Sequence, residues 1–265
     1  MGRPFLLDKV AIVTGASAGI GRATALALAE CGADVALGAR NGVALQETAR
    51  QIEAFGRKAL VVPTDVTQKD QVENLVNQTI AEWGCVDILV ANAGQYIRSP
   101  CVDLSIPTLL ESMAVNFYGE VYGVLAVLPN MLANRSGHIV LVSTMDAHTP
   151  IPPDAPYVAA KSALRGFGEV LRQELYKTGV NISMIYPGRV DTAMIDHLKF
   201  HWISAKISPE YVARSIIKAI RYRKSRVMIP PQTMILYYLT VFTPGLADLA
   251  TRVFRLEGWE DNNSE

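Results

Sequence analysis

Short apolar runs recur along the chain at a nearly regular interval. They are Val10–Val13, Val35–Leu37, Ala59–Val62, Ile88–Val90, Ile139–Val142 and Ile182–Ile185, all rich in β-branched residues. None alternates apolar with polar positions, which is the pattern of strands covered on both faces rather than one. Between them lie longer amphipathic segments, among them Gly21–Cys31, Val43–Phe55, Lys69–Trp83 and Tyr157–Lys177. Strand followed by helix, repeated, predicts a parallel sheet with helices on both faces. A seventh strand is expected at Arg226–Ile229. With no repeat, low-complexity tract or linker, residues 1–265 read as a single doubly wound α/β domain.

In such a sheet ligands bind beyond the carboxyl ends of the strands, where strand order reverses. The residues just past each run are Thr14-Gly15, Ala39-Arg40, Asp65, Asn92-Ala93-Gly94, Ser143-Thr144 and Pro187-Gly188. They form a polar, glycine-containing rim on an apolar sheet.

Composition narrows the class. The 265 residues are 50% hydrophobic, enough for a sizeable core, and Lys+Arg and Asp+Glu both total 25. A formal net charge of zero gives no basic field for nucleic acid, so any bound phosphate needs local donors and one or two placed cations. Cys31, Cys85 and Cys101 follow no disulfide or metal-ligand spacing. The apolar run at Phe5–Leu7 is too short for a signal peptide, and no breaker-free stretch of about 20 apolar residues exists. A cytoplasmic chain is the expectation.

The first rim segment reads Thr14-Gly15-Ala16-Ser17-Ala18-Gly19-Ile20-Gly21. Glycines at 15, 19 and 21 between a strand and a helix permit a tight turn and a close approach to a pyrophosphate, which the free N–H groups of the helix would bind. Ser17 and Ile20 belong to the same loop. The second strand ends Leu37-Gly38-Ala39-Arg40-Asn41, without the acid that usually accepts from the ribose 2′-hydroxyl of NAD. Arg40 can instead pair with a 2′-phosphate. NADP(H) is favoured, with NAD(H) the alternative.

Tyr157-Val158-Ala159-Ala160-Lys161 sets a phenol and an ammonium four residues apart, on one face of a helix. A tyrosine of ordinary pKa near 10 is a poor acid/base at neutral pH, and a neighbouring cation would lower it. With this pair the sequence resembles the short-chain dehydrogenase/reductase family, the compact type, over residues 8–230. The resemblance rests on Thr14–Gly21, Asp65-Val66, Asn92-Ala93-Gly94, Asn116, Ser143-Thr144, Tyr157…Lys161 and Pro187-Gly188…Thr192, in family order.

The resemblance implies a Rossmann fold and an NAD(P)-dependent exchange of hydride between a ketone or aldehyde and an alcohol. It makes Tyr157 the proton donor or acceptor and gives Lys161 two tasks, lowering the phenol's pKa and binding the nicotinamide ribose. Asn116 would hold a water behind that lysine. Asp65, with Val66, would meet the adenine. Asn92 and Gly94 would line the cofactor cleft, and Pro187, Gly188, Val190 and Thr192 would close over the nicotinamide. It further implies a homodimer or homotetramer. A non-catalytic NADP-binding sensor or scaffold is the alternative, one that usually lacks the Tyr or the Lys. The family's catalytic serine, thirteen residues before the tyrosine, falls here on Thr144, with Ser143 one residue earlier. Either hydroxyl could polarise the substrate oxygen; successive strand residues face opposite ways, so both do not easily serve.

His138, His148, His197 and His201 lack ligand spacing and read as surface or substrate-loop residues; no metal site is expected. Residues 194–207 are where the family places a substrate lid, here bearing His197, Phe200, His201, Trp202 and Ile203. With Met145, His148, Ile151 and Tyr96 at its border, the cleft is expected to be an apolar pocket for a bulky ketone. The stretch 227–255 is an apolar C-terminal extension, Met234–Phe242 above all. It could cover the pocket, form a subunit interface, or lie in a membrane surface beside Arg252 and Arg255.

Overall fold

A computed structural model describes residues 4–199, 206–254, 256–257 and 259–260. Strands β1 (Val10–Thr14), β2 (Asp34–Ala39), β3 (Ala59–Pro63), β4 (Ile88–Ala91), β5 (Gly137–Val142), β6 (Val180–Pro187) and β8 (Arg226–Ile229) form one sheet. Their order is β3-β2-β1-β4-β5-β6-β8, and every pairing is parallel. All seven expected strands are present. Two short strands, β7 (Leu198–Lys199) and β9 (Trp259–Glu260), pair antiparallel outside that sheet.

The unbroken apolar runs follow from burial on both sides. Ala11 and Val13 of β1 join one core while Ile12 joins the other, and β5 divides Val140 and Val142 from Ile139 and Leu141 in the same way. The first core packs under α1 (Gly19–Glu30), α2 (Gly42–Glu53) and α7 (Pro209–Tyr222), through Leu28, Leu45, Ile52 and Ile216. The second packs under α3 (Lys69–Trp83), α5 (Gly119–Ala133) and α6 (Ala155–Glu174), through Leu75, Val124, Val127 and Leu164. A short α4 (Ile106–Met113) runs into α5 through one π-helical turn, Ala114–Tyr118, which carries Asn116.

Strand order reverses between β1 and β4, whose carboxyl ends part around a crevice. Thr14 holds that divergence. Its buried hydroxyl accepts from the backbone N–H of Asn92 at 2.9 Å and of Ala93 at 3.1 Å, and its carbonyl accepts from Asn92 Nδ2 at 3.0 Å.

Among the described residues no helix is long and apolar enough to cross a membrane. The C-terminal extension folds as α8 (Thr233–Phe242) and α9 (Pro244–Val253). No residue of α8 is buried; Tyr237 packs on His148, while Ile235, Val241 and Phe242 face outward with Leu246, Leu249 and Val253 of α9. Arg255 lies outside the described residues, as do Phe200, His201, Trp202 and Ile203 of the expected lid. What is described of that segment is its stem, where Asp191 N–H donates to Ile207 O at 2.8 Å and Ile207 N–H to Arg189 O at 2.9 Å.

The Thr14 hydroxyl can be tested by Thr14→Val, which keeps the shape and strands two backbone donors. With an unmet buried donor costing about 1–3 kcal/mol, urea unfolding should show a loss of at least about 2 kcal/mol. Thr14→Ser should recover most of it, and a Val variant with the parental midpoint would show that the bonds contribute nothing.

Candidate active site

The crevice is a cleft of about 460 Å³, and of the sequence-derived site residues only Gly21 and Asn116 stand behind its wall. At one end is the glycine loop. Gly15 and Gly19 have φ of +68° and +52°, in the left-handed region, and a Cβ at Gly15 would meet Asn92 Nδ2 at 2.9 Å. At Gly21 a Cβ would lie 2.2 Å from the Gly15 carbonyl oxygen, so helix and loop pack too closely for any side chain. Ala18 at the head of α1 offers no side-chain cap, and the first turn holds no acid. Its N–H groups are left for an anion.

Arg40 is exposed at the end of β2, on the cleft wall, and among the described residues no carboxylate pairs with it. Asn41 caps α2 through Ala44 N–H at 3.1 Å. Asp65 Oδ1 accepts from the Thr67 N–H at 3.0 Å and hydroxyl at 2.8 Å, which fixes its carboxylate at the rim. These features fit a dinucleotide: a bare helix N-terminus, a loop that only glycine can form, and a guanidinium at the end of the second strand.

The other end of the cleft carries the phenol. Tyr157 and Lys161 lie on one face of α6. Ser143 and Thr144, just past β5, part ways. The Ser143 hydroxyl donates to the Lys161 backbone carbonyl at 3.2 Å. Thr144 stands beside the Tyr157 phenol and donates to Asp146 Oδ2 at 3.1 Å. The two hydroxyls therefore serve different neighbours, and Thr144 is the one at the phenol.

The expected lowering of the tyrosine's pKa is not what its surroundings in the protein produce. Burial raises it well above the ordinary range, reinforced by the carboxylates of Asp146, Glu120 and Asp154 and opposed by the nearby Thr144 hydroxyl. Lys161, for its part, is already engaged. Its Nζ donates to Glu120 Oε1 at 2.5 Å and to the Val142 carbonyl at 2.9 Å, so a carboxylate already answers its charge. Burial pushes the Glu120 carboxyl up to about 7 against the pull of that ammonium. One signal could have singled Glu120 out: it is the sole charged residue in the otherwise apolar α5.

Asn116 is fully buried and committed to its neighbours. Its Nδ2 donates to Gln95 O at 2.9 Å and Ser112 Oγ at 3.2 Å, while its Oδ1 accepts from Gln95 N–H at 3.0 Å. It holds the chain after Gly94 in place. A Cβ at Gly94 would lie 3.0 Å from Asn116 Oδ1 and 3.8 Å from Lys161 Nζ, so the bare Gly94 backbone is what lets both approach.

The substrate side is more polar than expected. Tyr96 donates to Asp154 Oδ2 at 2.6 Å, and Arg98 pairs with Oδ1 of the same carboxylate at 3.1 Å. Burial and Asp154 push the Asp146 carboxyl up to about 6, against the pull of Arg189. Of the four expected border residues only Tyr96 lines the cleft; Met145 and Ile151 are buried and His148 turns its ring onto Tyr186 and Tyr237. The histidines need correction too. His138 is buried at the start of β5, its Nε2 2.8 Å from Ser183 Oγ, where burial holds its pKa down at about 4. Half-buried His148 sits against Arg165, and its pKa is likewise lowered to about 4, chiefly by burial. His197 is exposed as expected, and His201 lies outside the described residues. Among the described residues no cluster of three or more metal-ligating side chains occurs.

Comparison with known proteins places this geometry. The sequence model of the family described as short chain dehydrogenase matches residues 9–201. An uncharacterized oxidoreductase of Staphylococcus aureus strain MRSA252 is 36% identical over 219 residues, 83% of this chain and 94% of the relative. One from Staphylococcus epidermidis is 35% identical over 213 residues, 80% and 91% of the two chains. Among solved structures, an alcohol dehydrogenase from the archaeon Thermococcus sibiricus, complexed with 5-hydroxy-NADP, aligns with a TM-score of 0.75 at 26% identity, covering 83% of this chain and 95% of that one. A short chain dehydrogenase/reductase from Burkholderia phymatum in complex with NAD aligns with a TM-score of 0.83 at 25% identity, over 93% and 96%. The chain is an oxidoreductase of the short-chain dehydrogenase/reductase family.

Proposed function

We propose that the protein interconverts a ketone or aldehyde with its alcohol, using NADP(H) and Tyr157 as acid and base. The observation that carries this reading is the Tyr157 phenol at the far wall of a dinucleotide-shaped cleft, beside the Thr144 hydroxyl, with Lys161 one turn behind it. Bound NADP(H) would supply or accept the hydride. The glycine loop and the α1 N-terminus would hold its pyrophosphate, Asp65 its adenine, and Gly188–Thr192 its nicotinamide side. An ammonium has three donors; Lys161 spends two on Glu120 and Val142, leaving one for a ribose hydroxyl.

In reduction Tyr157 gives its proton to the substrate oxygen, and in oxidation it takes that proton back. The Thr144 hydroxyl would orient the same oxygen by turning its one proton from Asp146 Oδ2 to the substrate, while the Asp146 N–H keeps its hold on the Thr144 oxygen. We place a hydrophobic substrate body against Met194 and Ile195, with its polar end toward Asp146 and Arg189. The direct test is NADPH oxidation by the purified protein against aliphatic, aromatic, steroid and acyl-chain carbonyls. Nucleotide binding without turnover on any of them would support the sensor or scaffold reading instead.

Tyr157→Phe should abolish turnover while NADP affinity stays within a few-fold of the parent, because the phenol's proton is needed only at the substrate oxygen. Retention of most of the activity would sink the mechanism. Thr144→Ala should cost roughly 10²-fold in kcat, a typical price for losing one oxyanion donor. Ser143→Ala should cost far less, since its hydroxyl faces the α6 backbone; the reverse order would exchange their roles.

Arg40 should set cofactor preference. A charge-assisted contact to phosphate is worth about 1.5–3 kcal/mol, or a roughly ten- to hundredfold preference for NADP in kcat/KM. Ala39→Asp with Arg40→Leu should reverse the order by placing a carboxylate where the 2′-phosphate would lie. Steady-state kinetics with both nucleotides decide it: a parent that prefers NAD makes Arg40 an ordinary surface residue.

A further inference from the structure

Glu120 and Lys161 form an ion pair at 2.5 Å whose side chains are 1% and 3% exposed. A buried pair is costly to form and needs hydrogen bonds to its remaining lone pairs and protons. Glu120 lacks them: its Oε2 is buried without a hydrogen-bond partner, so the carboxylate has little besides Lys161 to hold its charge. An apolar residue would suit the rest of α5 better, since every other position in that helix is uncharged. The acid therefore stands where only the lysine gives it a use. It sits one helical turn beyond Asn116, so the π-helical turn and α5 deliver both side chains behind the cleft.

We propose that Glu120 is a positioning residue of the reaction centre, holding the Lys161 ammonium against the end of β5 and setting how much positive charge Tyr157 feels. This rests on the carbonyl–alcohol reading above. Three carboxylates bear on the phenol, Glu120 on α5, Asp146 after β5 and Asp154 at the start of α6, and the Lys161 ammonium stands one turn along the phenol's own helix, paired with the first of them. When Glu120 is ionised, the pair beneath the phenol is neutral. When it is protonated, the ammonium acts alone and favours the phenolate. Below about pH 7 the protonated form gains, and above it the neutral pair prevails. The effect of Glu120 thus opposes the lysine's help at the pH where oxidation needs a base, and it keeps Tyr157 protonated for reduction.

The experiment is the pH profile of kcat in alcohol oxidation for the parent, Glu120→Gln and Glu120→Asp. The amide keeps an acceptor for Lys161 but removes the charge, so the rising limb should move about one pH unit toward acid, a tenfold gain on that limb. The aspartate keeps the charge but retreats by one methylene, so its limb should stay in place while kcat falls several-fold. Superimposable profiles for the parent and Glu120→Gln would overturn the proposal. If the Gln variant does not fold, an Asp variant with parental kcat and limb overturns it equally. A second measurement needs no turnover: carboxyl-labelled glutamate NMR, with the Glu120 signal assigned by its loss in Glu120→Gln. Its midpoint should lie well above that of an ordinary glutamate and rise further in Lys161→Met, which removes the ammonium. A midpoint indifferent to Lys161→Met would break the pairing. If the pairing holds and no alcohol is oxidised, it is the carbonyl–alcohol reading that fails.

Discussion

The cleft exists because β1 and β4 turn away from each other at their carboxyl ends, and one hydroxyl bridges the backbone where they part. Parallel strands bury their own polar groups in the ladder, but at a point of divergence those groups lose their partners. Thr14 supplies the missing acceptor to both Asn92 and Ala93, and Asn92 returns a bond to the Thr14 carbonyl. That closed exchange lets the glycine loop and the Asn92–Gly94 turn stand side by side without a side chain between them. The same contact explains why Gly15 has no room for a Cβ: the Asn92 amide that ties the strands is the atom a Cβ would strike.

A second constraint is electrostatic. A chain with no net charge has no general field to hold an anion or tune a phenol, so each charge in the cleft must act at short range. The cations divide the space accordingly. Arg40 lies at the glycine-loop end with no carboxylate partner among the described residues, whereas Lys161 lies buried and matched by Glu120. Burying an ammonium unmatched would cost more than the site could return. Burial raises the pKa of the Tyr157 phenol, and the carboxylates of Asp146, Glu120 and Asp154 add to it.

What the sequence disclosed follows from how local each feature is. The strands could be read because both faces are buried, leaving unbroken runs such as Ile139–Val142, and the glycine loop because its spacing is confined to eight residues. Period two alone stated that Ser143 and Thr144 diverge, though not which met the phenol; that depended on where α6 docks. The pairs that shape the substrate side were not legible. Tyr96 and Arg98 reach Asp154 across 58 and 56 residues, and no pattern along the chain announces such a contact. His138 looked like a surface residue because nothing in its neighbourhood reveals that Ser183, 45 residues later, would cover it. Glu120 could have been found, as the one charge in an apolar helix, but its partner lies 41 residues away.

The apolar C-terminal stretch shows where hydropathy stops informing. Its α8 is apolar on nearly every side, so no face is marked as the inner one, and in the fold none of its residues is buried. Contact with the cleft comes from the residues after α9, and it is polar. The guanidinium of Arg189 donates to the Leu256 carbonyl, and that of Arg98 to the Glu257 carbonyl at 3.0 Å. Both arginines also face the acids of the substrate side, Arg98 pairing with Asp154 and Arg189 drawing down the carboxyl of Asp146. Each therefore joins two things at once, a C-terminal carbonyl and a cleft carboxylate. The C-terminal segment is thereby coupled to the cleft through two charged side chains rather than through the apolar surface that first drew attention to it.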